Sequence, residues 1–138
     1  MRPILWMSSF LIFAATVATA HHSQSAEFDL NRTIEVKATV VRFEWINPHP
    51  VIYLDAKDAA GTLTQWKFEI PGGANELYKR GIRPNSVPAG AVITGVGAPE
   101  KKRTDLIYQK LAPKELRLSD GTVLDVSSDL WLMRPPKI

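Results

Sequence analysis

The sequence predicts a small, mainly β protein, a barrel of five or six antiparallel strands with one short helix between strands 3 and 4. Three observations support this fold class. Apolar and polar residues alternate from residue 33 onward, which is the pattern of half-buried strands. Short turns separate the alternating segments, and the one helical segment is brief and ends at a glycine. The 138 residues contain no cysteine, so the fold must depend on its apolar core rather than on disulfides.

The first predicted strand, Thr33 to Trp45, contains a break in its alternation. Apolar residues occupy every second position as far as Val40. The phase then shifts by one residue, and Val41, Phe43 and Trp45 continue the apolar face. Because such a shift is typical of a β-bulge, which lets a long strand bend, we expect a long, curved first strand.

Two further strands, at residues 51–57 and 62–70, follow a turn at Asn47-Pro48-His49-Pro50. Three strands joined by short turns predict an antiparallel meander. The residues expected to face inward on the second and third strands are Ile52, Leu54, Ala56, Thr64, Trp66, Phe68 and Ile70.

A short helix is predicted over residues 74–80, with Gly81 in the left-handed conformation that often ends a helix. Later strand-like segments are residues 91–98, the neighbourhoods of Leu106–Tyr108 and Lys114–Leu118, and residues 123–125 after a two-residue Asp120-Gly121 hairpin turn. A meander, a helix and then further strands follow the order of the OB-fold, a small Greek-key barrel. We therefore expect an OB-like barrel.

The first 20 residues have the organisation of a secretory signal peptide. Arg2 precedes an apolar run, and Ala18-Thr19-Ala20 matches the small-x-small cleavage pattern. The run is shorter than the roughly 20 residues of a spanning helix. We expect cleavage after Ala20, a periplasmic or secreted protein, and no integral membrane segment afterwards. The expected organisation is a signal peptide (1–20), an amino-terminal tail (21–32), a barrel domain (33–126) and a carboxy-terminal tail (127–138).

Several short stretches resemble one family of small exported bacterial proteins, the domain of unknown function 6152 family. They are AHHS at residues 20–23, EFD at 27–29, FEWINPH at 43–49, the strand around Trp66, and DGTVL at 120–124. The chain departs from the family pattern at Ile82, where tryptophan is expected, and at 87–93, where Leu-Lys-Pro-Gly-Asp is usual. The family name carries no activity, so the resemblance implies fold and compartment only.

No familiar catalytic pattern occurs in the chain, which lacks a Gly-x-Ser-x-Gly elbow, a His-Glu-x-x-His pair and a phosphate loop. Glu44 and Glu69 are candidates for the paired carboxylates of a glycoside hydrolase. However, strand phase places them on an outer face of alternating charge, which is typical of a solvated sheet. We predict that the protein is not an enzyme. A net charge of +3, or +2 without Arg2, also argues against nucleic-acid binding.

The three histidines suggest a metal site. Cleavage after Ala20 would give His21 a free amine beside its imidazole, with His22 adjacent and His49 in the Asn-Pro-His turn. Nitrogen ligands without thiolate favour copper(II), then zinc or nickel. Phe28 is the expected anchor that lets the tail run back along the barrel. The alternative is a tail that binds no metal and a histidine that only supports its turn.

A second hypothesis is an OB-like module that binds an envelope saccharide or a partner protein without a metal. Its candidate ligand-binding residues are Trp45, Asn47, Tyr53 and Trp66. Inward strand phase favours a core role for the two tryptophans, and Asn47 can support its turn. The basic stretch PEKKRT at residues 99–104 is expected to be a solvated hairpin tip, with contact to an anionic lipid or polysaccharide as the lesser alternative. The apolar residues 130–133 are expected to close over the core, with docking on a partner or membrane surface as the lesser alternative.

Overall fold

The computed structural model describes residues 24–129. A helical turn at residues 24–27 precedes the first strand, and a 3₁₀ turn at Pro84–Ser86 precedes the fourth. The other elements are β1 (Ile34–Glu44), β2 (Val51–Lys57), β3 (Leu63–Glu69), α1 (Ala74–Lys79), β4 (Val92–Pro99), β5 (Tyr108–Leu118) and β6 (Val123–Asp125). Within the described range, no helix has the length and apolar character needed to cross a membrane.

Five of the strands close into a barrel. Neighbours in the order β3-β2-β1-β4-β5 are hydrogen-bonded, and β5 also pairs with β3. The closing β3–β5 pair is parallel, whereas the other pairs are antiparallel. An odd number of strands cannot alternate in direction around a closed ring, so one parallel pair is required. The predicted small barrel with a helix between strands 3 and 4 is confirmed, and the all-antiparallel expectation is corrected at this pair.

The first strand is long, as its sequence predicts, and it serves both halves of the barrel. Its first half, Ile34 to Thr39, pairs with β4, and its second half pairs with β2. The register with β2 shifts between Val40 and Arg42, which confirms the bulge. One assignment was wrong: Val41 is 46% exposed, not inward-facing, because it is the extra residue of the bulge.

The barrel interior contains the main apolar core, to which β1–β5 and α1 contribute. Its fully buried members include Phe68, Ile52 and Leu54. Trp45 and Trp66 are partly buried and pack against this core, as their strand phase predicts. Gly95 is required here, because a Cβ at that position would clash with the ring of Phe68.

Helix α1 covers the core with Leu77, which is fully buried. The helix ends where the sequence predicts: Gly81 has φ of +81°, and the Ile82 N–H donates to the carbonyl of Leu77.

The carboxy-terminal half departs from the sequence prediction in two places. The two expected segments after residue 105 are one strand, β5, and Leu106 and Ile107 lie before it in an exposed loop. The alternation fails in β5 because Leu111 and Ala112 are both buried, one on each face of the sheet. The hairpin into β6 has a three-residue loop, 119–121, rather than a two-residue turn, because the Leu118 N–H donates to the Thr122 carbonyl.

Candidate functional site

Residues 24–32, which we call the strap, lie against the ends of β4 and β5. Phe28 forms a β-bridge with Glu100, and the Asp29 N–H donates to the carbonyl of Pro99 over 2.9 Å. The Lys101 N–H donates to the carbonyl of Glu27 over 2.8 Å. The strap therefore has main-chain hydrogen bonds to the barrel and is part of the fold.

A second apolar cluster holds the strap in place. Phe28 is completely buried and Leu30 nearly so, and they pack with Ala98 and Ala112. This cluster is separate from the main core, because Ala112 faces away from the barrel interior that Leu111 enters. Two alanines on this face leave room for a phenylalanine ring. The prediction that Phe28 anchors the tail is confirmed.

A group of charged side chains lies beside the anchor. The Glu27 Oε1 atom is 2.6 Å from the Lys110 Nζ atom, and the Glu69 Oε1 atom is 3.8 Å from that same nitrogen. The Lys67 Nζ atom is 3.6 Å from the same oxygen of Glu69. We call these four residues the carboxylate–lysine group. Their side chains are only 14–24% exposed.

Burial controls the protonation chemistry of this group. It raises the pKa of Glu69, with a further rise from the nearby charge of Glu27, and the two lysines offset this only in part. For Lys110 burial acts to lower the pKa, but the hydrogen bond to Glu27 and the attraction of the surrounding carboxylates outweigh it and the pKa is raised. The group therefore favours a protonated Lys110 and disfavours a second negative charge at Glu69.

Sequence reasoning missed the carboxylate–lysine group. Strand phase places Glu69 on the outer face correctly, but it does not show what covers that face. Glu27 belongs to a polar segment without periodicity, so no pattern linked it to a lysine on β5. The available signal was Phe28, whose position as an anchor requires its neighbour Glu27 to lie against the sheet.

The Asn-Pro-His turn lies next to the end of β3. The Ile70 N–H donates to the carbonyl of Pro50 over 2.9 Å, and Glu69 pairs with Val51 at the start of β2. The peptide bond between Asn47 and Pro48 is cis. The His49 side chain is half-buried. Because the Glu27 and Glu69 carboxylates both approach Lys110, the strap is within side-chain reach of the end of β3. The Asn-Pro-His turn lies beside that end.

The other two predicted metal ligands, His21 and His22, lie outside the described residues. Within residues 24–129, no three side chains of the metal-ligating types cluster closely enough to hold an ion. Gln24, the first described residue, is 3% exposed, and its side-chain amide has no hydrogen-bond partner in the described range. The segment that carries the two histidines therefore joins the strap at a buried position.

The predicted aromatic ligand site is not assembled as one surface. Trp45 and Trp66 pack inward and make edge contacts with Phe43 and Phe68, with ring centroids 5.4 and 6.4 Å apart. Tyr53 lies on the outer face instead. Its ring is covered by the guanidinium of Arg42, 3.6 Å from the centroid, and its edge meets Tyr108. Asn47 is exposed in its turn. The residues thus occupy two sides of the sheet, with no common stacking platform.

Glu44 and Glu69 are engaged in charge pairs of their own. Glu44 accepts a hydrogen bond from Arg42 over 3.0 Å, and Glu69 interacts with Lys67 and Lys110. Glu44 matches the solvated face expected from sequence. Glu69 differs from that expectation, since the strap partly covers it.

Comparison with known proteins assigns the chain to a family. A family model described as "Family of unknown function (DUF6152)" matches residues 10–107, about seven tenths of the sequence. The chain belongs to this family. A search of curated proteins found no match. The DUF6152 match includes the strap, the Asn-Pro-His turn and β1–β4, so the segments that bring Glu27 and the turn to the end of β3 lie inside the family region.

Proposed function

We propose that this DUF6152 protein is exported, is not an enzyme, and binds copper(II) at the amino terminus that cleavage after Ala20 would create. His21 supplies its amine and its imidazole, His49 supplies a second imidazole, and His22 is a further or substitute ligand. One observation carries the proposal: the strap is fixed on the barrel, and its ion pair with Lys110 reaches the strand end beside the His49 turn.

The length of the intervening chain supports this arrangement. Gln24 and Glu27 belong to one helical turn, so the axial rise between them is about 5 Å. The three residues from His21 to Gln24 add at most about 10 Å when extended. The amino terminus would then lie within about 15 Å of Glu27.

The donor set favours copper(II). An amine and an imidazole on one residue form a chelate, and nitrogen ligands bind copper(II) more tightly than the other divalent first-row metals. Imidazole binds only when neutral, so affinity should fall as the pH drops below about 6.5, the ordinary pKa of histidine. The proposed site takes two of its three histidines from residues before the described range.

Calorimetric titration with copper(II) tests the amino-terminal chelate. The protein beginning at His21 is compared with a variant that carries Gly-Ser-Gly-Ser before His21. The extension keeps every native side chain but moves both histidines beyond the first three positions, where the terminal amine can assist binding. We expect at least a tenfold weaker affinity in the extended variant, from the loss of one chelating nitrogen. Equal affinities would rule out the amino-terminal site.

A second arm tests the role of the turn. His49→Ala should also weaken binding, whereas Asn47→Ala, in the same turn, should leave the affinity unchanged. Circular dichroism and a thermal melt of each variant establish that the barrel is intact. If His49→Ala binds copper(II) as tightly as the parent protein, the metal would be confined to residues 21 and 22. Mass spectrometry of protein from the periplasmic fraction of expressing cells tests the cleavage site directly.

A further inference from the structure

The loop between β4 and β5 carries an unusual pair of side chains at residues 106 and 107. Leu106 is 97% exposed and Ile107 is 60% exposed, more than any other large apolar side chain in the described part of the chain. Single exposed apolar residues are ordinary. Two bulky neighbours at the end of a loop, where polar residues normally suffice, call for a partner that covers them.

Specific hydrogen bonds fix the loop that presents this pair. The Asp105 carboxylate accepts from the N–H groups of Ile107 and Tyr108, over 2.8 and 3.0 Å. Arg103 donates to the carbonyls of Asp105 and Leu106, over 3.1 and 3.2 Å. The two apolar side chains thus project from a backbone that the loop's own polar groups hold in shape.

Positive charge lies next to the apolar pair. Lys101, Lys102 and Arg103 are exposed. Lys101 and Arg103 donate their side-chain hydrogen bonds to main-chain carbonyls, which are neutral, rather than to carboxylates. Asp105 is the acidic residue of this stretch, and the hydrogen bonds from the N–H groups of Tyr108 and Ile107 lower its pKa. Residues 101–107 therefore carry a net charge of +2.

We propose that residues 101–107, the loop tip, dock on an anionic lipid surface. Leu106 and Ile107 enter the interface, and the three basic residues lie at the level of the lipid phosphates. Apolar insertion combined with basic residues is the pattern of reversible membrane-surface binding. A protein partner is less well matched, because a stable interface buries about 800 Å² on each side, far more than two side chains provide. The proposal is independent of the copper site, since it uses none of the histidines; its links to the strap are the bonds of Lys101 to the carbonyls of Ser25 and Glu27.

Vesicle sedimentation tests the proposal. The chain beginning at His21, which contains every described residue, is mixed with vesicles of phosphatidylcholine alone or with about three tenths phosphatidylglycerol. We expect binding to the anionic vesicles only, and a loss at high salt. The double variant Leu106→Ser, Ile107→Ser should bind at least about tenfold more weakly, because it loses most of the inserted apolar surface. Lys102→Glu should reduce binding several-fold through charge alone.

The matched control changes two exposed apolar residues elsewhere on the barrel. Leu63 on β3 and Val123 on β6 are 52% and 57% exposed. The variant Leu63→Ser, Val123→Ser should bind as the parent chain does. Equal binding to both vesicle types, or equal loss in the two double variants, would overturn the proposal. So would self-association of the parent chain, measured by sedimentation velocity, that Leu106→Ser, Ile107→Ser abolishes, because the loop tip would then dock on a second copy.

Discussion

The protein has two apolar clusters that differ in position and in dependence on the rest of the chain. The main core is enclosed by five strands and α1, which all contribute side chains to it. The strap cluster is formed where one short segment lays Phe28 and Leu30 over two alanines on the outer side of β4 and β5. Both contain a phenylalanine with no exposed surface, Phe68 inside the barrel and Phe28 under the strap. The two rings are therefore equally buried, but they stabilise different parts of the molecule.

The difference is one of cooperativity. Phe68 belongs to a strand that pairs with two neighbours, so losing its packing affects the whole ring. Phe28 belongs to a segment joined to the barrel by a bridge with two main-chain hydrogen bonds and by one ion pair. Segments with few attachments can open locally while the remaining fold persists. The strap is thus expected to be the part of the described chain whose position can change without unfolding the barrel.

The largest expected effect comes from Phe68→Ala compared with Phe28→Ala. Phe68→Ala should lower the free energy of unfolding by about 3–5 kcal/mol, the usual cost of emptying a large core site. Phe28→Ala should cost less, about 1–3 kcal/mol, because the strap can detach and leave the main core intact. Urea unfolding gives the two free energies. Hydrogen exchange should show lost protection confined to the strap and its partners in Phe28→Ala, and spread across the strands in Phe68→Ala.

One result of the exchange experiment would contradict the expected difference between the two variants. If Phe28→Ala exposed amides throughout β1–β5, the strap would be as cooperative as the barrel and the distinction between the clusters would be wrong. Leu30→Ala offers a second variant of the strap cluster with a smaller volume change, and it should show the same local pattern more weakly.

A smaller effect is expected from Lys110→Met, which removes the cation that holds the strap while keeping the length of the side chain. Glu27 and Glu69 would then face each other, partly buried, without the lysine between them. We expect a loss of about 1–2 kcal/mol, less than for a fully buried pair because all three groups retain some contact with water. Chemical unfolding measures it, and exchange of the strap amides should increase.

Lys57→Met is the matched control for that substitution. Lys57 is exposed at the end of β2, and its loss should change the free energy of unfolding by less than about 0.5 kcal/mol. A comparable loss in both variants would mean that Lys110 contributes only through its general charge. No special role in attaching the strap would then remain.

The same comparison shows what sequence can predict. The positions of the first four strands, the bulge after Val40 and the glycine at 81 follow from local patterns, and each is confirmed because its cause lies within a few residues. The failures come from contacts between distant segments. Ala112 is buried on the outer face of β5 because Phe28 covers it, so the alternation of β5 is lost. The sequence of β3 predicts a solvated Glu69, because nothing in that strand shows that another segment packs over it. For the metal hypothesis, the structure places only His49, because His21 and His22 lie outside the described residues.

The smallest expected effect, Glu69→Gln, tests the electrostatics under the strap. Because the pKa of Glu69 is raised in the folded protein, the native state holds this proton more tightly than the unfolded chain does. Glu69 therefore favours folding below its ordinary pKa near 4.5, and that contribution is lost as the pH rises through the raised value. Glutamine resembles the protonated acid, so Glu69→Gln should match the parent protein near pH 4 and be slightly more stable near pH 7.

Glu76→Gln provides a control of opposite sign on the exposed face of helix α1. The hydrogen bond from Lys79 lowers the pKa of Glu76, so its contribution is present at neutral pH and is lost as the pH falls through the lowered value. Glu76→Gln should therefore be slightly less stable than the parent at pH 7 and equal to it in acid. Thermal melts of both variants between pH 4 and 7 compare how the melting temperature depends on pH.

In the Lys110→Met background, the stability gained from Glu69→Gln should increase, because Lys110 no longer offsets the buried charge. An unchanged gain in stability would show that Lys110 and Glu69 act independently.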